Sequence, residues 1–368
     1  MENMEKKNVV SPKLLFAMFI FVLIIVTIGL GWWFDRTYSA NKKTNPEPET
    51  TEVKKEEIKY IEKVQINKVE TTADPNDNQE IGDGLADTSD TENYIPLYAA
   101  ANSDSTIIED VFTGEWADYL GEESDFVNVR TKNGNSGFIA KEQADVTKLI
   151  DRKSVNSIKD AVIVLDAGHG GTDIGAESTN TVYLEKDFTL ATAEAVQKAL
   201  EEAGATVYMT RTTDTDMTLD ERTELSKKYA PDAFISLHYD SSDYSDTFNG
   251  YTTYYYYQRD QALAEAISHG LGVVETRYGA DGTALSLPNL GVKTDNFSVT
   301  RESPYPSLLL ELGYINSYGD LIVIWDDEYY KQVAEGITTA LTKYFSGENP
   351  IATINSTEES TTLDSITE

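Results

Sequence analysis

The stretch AVIVLDAGHGG, residues 161–171, decides the fold. Five apolar residues lead into an acid, and three glycines then surround a histidine. A short apolar run closed by glycines reads as a strand buried on both faces, the kind that parallel sheets contain. His169 then stands at the strand's carboxyl end, outside which ligands gather in an open α/β sheet. The chain has 368 residues and only three histidines, so the partners of this one must come from distant segments.

Working outward, strands alternate with helices. A helix is expected over about 186–203, where Phe188, Ala195, Val196, Ala199 and Leu200 fall on or near one stripe. GATVYMTR (204–211) opens a strand. Thr218 and Glu221 have the spacing of a capping box for a helix to about Tyr229. PDAFISLHY (231–239), GYTTYYYY (250–257) and PSLLLELG (306–313) are further strands, with helices over 261–272 and 328–345. This rhythm predicts an α/β domain over 158–346, its mostly parallel sheet flanked by helices.

Three chemically capable residues reach the carboxyl edge of such a sheet: His169, His238 at the end of FISLH, and Glu311 near the end of LLLELG. Glu185, at a helix start, is a fourth. With no cysteine in the chain, a metal site must use imidazole and carboxylate. Two histidines and one carboxylate suffice for catalytic zinc with a position left open. Whichever of Glu185 and Glu311 binds the ion, the other is free to accept a proton from water. Each residue also has a plainer reading: a histidine hydrogen-bonded in a glycine turn, a satisfied strand-end histidine, acids in ordinary ion pairs. Arg211 and Arg222 either orient carboxylates or pair with acids at the surface. His269 reads as a helix-end partner.

The amino-terminal part differs in kind. Residues 14–34 carry no charge over 21 positions, enough for a helix to cross a bilayer, and end in Trp32 and Trp33. They predict an uncleaved anchor after a short cytoplasmic segment (1–13), the alternative being a cleaved signal and secretion. Residues 35–92 read as a linker, with a charged helix conceivable over 52–66. Residues 93–149 carry five short apolar pieces separated by turns, which implies a small all-β barrel whose core includes Val111, Trp116, Phe126, Val127, Val129, Phe138 and Ile139. Residues 347–368 read as a disordered acidic tail. The formal net charge of −33 excludes the basic footprint of a nucleic-acid binder.

The segments IVLDAGHGGTDIGA, LEKDFTLATA, VYMTRTTD, TLDERTEL, AFISLHYD, YTTYYYY and LLLELGYI, in that order over about 160–345, resemble the zinc-dependent N-acetylmuramoyl-L-alanine amidases. The resemblance implies one zinc ion held by His169, Glu185 and His238, with Glu311 as catalytic base, and peptidoglycan as substrate. It also implies cleavage between the lactyl group of N-acetylmuramic acid and the stem L-alanine, serving wall remodelling or daughter-cell separation, with the domain facing the wall. The chain departs from the family pattern at Tyr239 and Asp240 and at Asn316–Ser317, so Asp240 and Asn316, with Arg211 and Arg222, are candidates for supporting or groove positions. DFVNVRTKNGNSGFIA (125–140) resembles the ending of bacterial SH3-like domains, with Phe126 and Phe138 where tryptophans are usual. Competing expectations are a catalytically silent wall-binding or regulatory module, and a zinc peptidase acting within the stem. A regulatory partner is a further expectation, with 272–306 as a wall of the groove.

Overall fold

The computed structural model describes residues 58–67, 93–273, 277–278, 284–285 and 287–348. The expected membrane helix, most of the expected linker and nearly all of the expected tail lie outside the described residues. Among the described residues no helix is long and apolar enough to cross a membrane.

Seven strands build the first module: β1 (Tyr60–Ile66), β2 (Tyr94–Tyr98), β3 (Ile107–Phe112), β4 (Trp116–Glu123), β5 (Phe126–Arg130), β6 (Ser136–Ala140) and β7 (Ala144–Ile150). Their order is β3-β2-β6-β5-β4-β1-β7, and every pairing is antiparallel. Strand β1 corrects the linker reading over Tyr60–Ile66, and the helix expected over 52–66 is a strand there; residues 35–57 and 68–92 lie outside the described residues. Val64 and Ile66, two positions apart, are buried while Lys63 and Gln65 beside them stay partly exposed, which is strand periodicity. The core holds Val64, Ile66, Leu97, Val127, Val129 and Ile139. Phe126 and Phe138 are only half-buried, a second correction. Successive strand residues face opposite ways, so with Val127 and Ile139 inward their neighbours must point out.

The second module contains β8 (Val162–Ala167), α1 (Glu185–Ala203), β9 (Thr206–Met209), α2 (Leu219–Tyr229), β10 (Ala233–Asp240), β11 (Tyr251–Tyr255) and α3 (Gln261–Gly270). A two-residue pair, β12 (Arg277–Tyr278) and β13 (Ala284–Leu285), stands apart from the sheet, and β14 (Asn289–Thr294), α4 (Ser298–Arg301), β15 (Ser307–Tyr314), α5 (Tyr318–Ile324) and α6 (Asp327–Ser346) complete it. The sheet order is β14-β11-β15-β10-β8-β9. Strands β9, β8, β10 and β15 are parallel, but β11 runs antiparallel to β15 and β14 follows β11, so the sheet is mixed rather than mostly parallel. The reason is local: the link between β10 and β11 holds no helix, and a parallel return needs a crossover of a dozen or more residues.

Helices cover both faces. Phe188, Thr192, Val196 and Leu200 recur every four residues along α1, and together with apolar positions of α3 and α6 they bury one face of the sheet. The other face packs Val164, Phe234 and Leu309 against Val299 of α4, with Leu225 and Tyr229 of α2 alongside. Gly204 ends α1 in the left-handed conformation, and the Thr218–Glu221 capping box starts α2. Trp116 leaves the core of the first module for the second: its backbone N–H donates to the Tyr257 hydroxyl (2.7 Å), and its indole N–H donates to the Glu302 carbonyl (2.7 Å). Both modules fall in one unit beginning at Ile58.

Candidate metal centre

His169 follows β8 in a turn where it adopts φ 57°, a left-handed conformation that non-glycine residues seldom hold. Strain of this kind persists only where surroundings enforce it. Buried Arg222 donates to the carbonyls of Ala167 (2.8 Å) and His169 (2.8 Å), and Arg211 donates to those of Ala167 (3.0 Å) and Gly168 (2.8 Å). Arg222 is itself fixed by Asp166, which is fully buried and also accepts from Ser236 (2.7 Å) and Thr210 (2.8 Å). Burial opposes the Asp166 charge, yet Arg222 and Ser236 outweigh it and hold the carboxyl below its ordinary pKa. The two arginines are therefore braces of the histidine turn rather than groove residues.

Glycine at 168 is required by contact, since a Cβ there would stand 2.4 Å from the His238 ring. At Gly175 (φ 66°) a Cβ would meet Glu185 Oε2 at 2.6 Å.

The three expected ligands converge. His238 Nδ1 lies 3.1 Å from His169 Nε2 and 3.0 Å from Glu185 Oε1, and His169 Nε2 lies 3.0 Å from Glu185 Oε2. All three side chains are buried. One ligand atom from each lies within 4.8 Å of the others. Donors on a tetrahedral zinc with bonds of about 2.0–2.1 Å are separated by about 3.3 Å, so this donor set fits such an ion. The donors are held in turn: Asp173 accepts from His169 Nδ1 (3.0 Å), which leaves Nε2 as the lone-pair donor. Glu185 accepts from the backbone N–H groups of Ala176 (2.8 Å) and Tyr239 (2.9 Å). Burial works against the Glu185 charge, but the two imidazoles prevail and keep its pKa well below the carboxylate range.

Glu311 is not in the triad but beside it. It is half-buried on β15, in register with His238 on one side and Thr252 on the other. In-register neighbours lie about 4.8 Å apart and present their side chains on the same face. Asp240 pairs with Tyr314 farther along the edge; burial, followed by Asp240, raises the Tyr314 phenol well above its ordinary pKa. Asn316 exchanges hydrogen bonds with the Ser242 backbone (3.2 and 2.6 Å), tying the loop after β10 to the turn after β15. It is a tether for that loop. Sequence reasoning missed Asp166 and Asp173. An acid closing a buried apolar run demands a cationic partner, and one four residues beyond a turn histidine is placed to orient it.

An α/β sheet whose carboxyl edge gathers two imidazoles and a carboxylate, with another carboxylate in register beside them, has the donor set of a metal-assisted hydrolase. Residues 163–343 match the family described as N-acetylmuramoyl-L-alanine amidase. The chain is 34% identical over 275 residues to the probable cell wall amidase LytH of Staphylococcus aureus, a match covering 74% of this chain and 87% of the relative. Among solved structures, the amidase AmiC2 of Nostoc punctiforme is 33% identical (50% of this chain, 96% of that chain, TM-score 0.46). The catalytic domain of CwlV from Bacillus (Paenibacillus) polymyxa var. colistinus is 31% identical (50% and 97%, TM-score 0.45). The chain belongs to the N-acetylmuramoyl-L-alanine amidase family. Its reaction is hydrolysis of the amide between the muramic acid lactyl group and the stem L-alanine, in cell-wall remodelling.

Proposed function

We propose that this amidase depends on one zinc ion held by His169, Glu185 and His238, with Glu311 as the base. The observation that carries the reading is the approach of three buried donors to 3.0–3.1 Å of one another. When bound, zinc supplies Lewis-acid polarisation to the scissile amide and to an attacking water. Glu311 accepts a proton from that water as oxygen adds to the lactyl carbonyl carbon. Its carboxyl then returns the proton to the alanine nitrogen as the carbon–nitrogen bond breaks. Asp173 holds the His169 ring, and the Ala176 and Tyr239 amides hold the Glu185 carboxylate.

The apolar segment 14–34 anchors the chain in the cell membrane with residues 58–348 on the wall side, and the seven-stranded module is an SH3-like domain. The 21 uncharged residues of that segment, ending in Trp32 and Trp33, and the antiparallel seven-stranded sheet ahead of the amidase domain support this reading.

The test is Glu311→Gln in the full chain, digesting purified peptidoglycan. Turnover is expected to fall by about 10²–10⁴-fold, with one zinc per chain retained. Wild-type product masses should show intact stem peptides released from intact glycan. Fragments cut inside the stem would instead indicate a peptidase, and full activity of the zinc-free wild type would overturn the metal assignment.

A further inference from the structure

A cleft of about 380 Å³ opens where the barrel meets the amidase domain. Lys132 and Asn133, in the turn between β5 and β6, line one side; Tyr256 and Gln258 beyond β11, with Asp295 and Asn296 beyond β14, line the other. It lies apart from the metal centre, and its walls are held in place. The Lys132 ammonium sits 3.6 Å from the centre of the Tyr256 ring and 3.3 Å from Glu115 Oε1, and the Tyr256 hydroxyl donates to the same Glu115 oxygen (2.6 Å). Asn296 accepts from Arg301 through its backbone carbonyl (3.0 Å) and side chain (2.7 Å). Lys132, paired with Glu115, and Asp295 thus line a preformed space beside an aromatic ring.

The register of β11 sets the distance to the reacting bond. Thr252 pairs with Glu311 and Tyr255 with Leu308. Three residues of strand cover about 10 Å, so the cleft begins roughly 10–15 Å from Glu311. An extended peptide of four or five residues spans about 14–18 Å. Tyr254 lies between: it pairs with Lys293 on β14, whose ammonium is 5.9 Å from the ring centre. Burial, then the charges of Asp240, Glu311 and Asp295, raise the Tyr254 phenol, so one ring feels both the base and the cleft acid.

We propose that the cleft between barrel and amidase domain is a subsite for the far end of the stem peptide, Asp295 reading a free side-chain amine and Lys132 a carboxylate. This rests on the amidase reading and extends it: the barrel contributes a side chain to substrate selection. The cleft favours long, uncrosslinked stems, because acylating the amine removes the charge that Asp295 reads.

The experiment compares kcat/KM of the full chain on a muramoyl tetrapeptide and a muramoyl dipeptide that share the scissile amide. The tetrapeptide carries a free amine at its third residue. Asp295→Asn and Lys132→Met are each expected to lower the tetrapeptide-to-dipeptide ratio about fivefold, the size of one partly exposed charge pair. Acetylating the tetrapeptide amine should lower the wild-type ratio by the same factor and leave that of Asp295→Asn unmoved. The wild-type half of this arm needs no variant to fold. A wild-type ratio indifferent to acetylation, or variant ratios equal to wild type, would overturn the subsite while leaving the amidase reading intact. Failure of wild type on both substrates would instead sink the amidase reading.

Discussion

His169 and His238, 69 positions apart in sequence, bring Nε2 and Nδ1 to 3.1 Å across the ends of two neighbouring parallel strands. Neither histidine reaches the other by local structure. Their meeting depends on the β8–β10 register and on the arginine braces that hold the His169 turn.

Removing Asp173 takes away the acceptor that fixes the His169 ring. Asp173→Ala should weaken zinc binding by about 10–100-fold, measured by competition with a chelator. Unchanged zinc affinity would show that the ring is oriented by other means.

Arg222→Met strands Asp166 as a fully buried charge. Breaking one side of a buried pair costs about 3–5 kcal/mol, so the denaturation midpoint should drop sharply. Adding Asp166→Asn to that variant should recover part of the loss. Additive destabilisation in the double variant would contradict the pairing.

Asp320 is buried, and burial pushes its pKa up to about 6 despite N–H donors at Tyr314 and Gly250. A raised carboxyl pKa means the folded chain holds the proton more tightly than the unfolded chain, whose value is near 3.8. Its stabilising contribution is complete at low pH, declines as the pH rises from about 4, and is lost once the pH passes about 6. Asp320→Asn retains an acceptor but cannot ionise. The stability difference between variant and wild type should therefore shift in the variant's favour by up to about 3 kcal/mol between pH 4 and 7. Urea unfolding at several pH values measures it, and parallel curves would refute it.

What the sequence disclosed follows from how local each signal is. AVIVLDAGHGG announces a buried strand and its glycine turn because the pattern is complete within eleven residues. Once the alternation of strands and helices is read, His238 and Glu311 follow as strand-end residues. The structure places His238 and Glu311 in register on adjacent strands. Strand β1 escaped because its pairing partners, β4 and β7, lie at least 50 positions away, and its charged flanks resemble a solvated linker. Phe126 and Phe138 read as inward on hydrophobicity alone, whereas the pleat gives that side to Val127 and Ile139. The reversed direction of β11 was legible from the helix-free link before it. The roles of Arg211 and Arg222 were not, because a buried arginine and a groove arginine have the same sequence signature.

Strand β1 has one more meaning. It is the first described element, and it lies between β4 and β7, with its chain leaving at Ile58. Tyr60 at the start of β1 pairs with Ile150 at the end of β7, so a pull at Ile58 against the second module acts on adjacent ends of that pair and opens its ladder rung by rung. The chain therefore enters the first module at the same end of the sheet from which it leaves for the second.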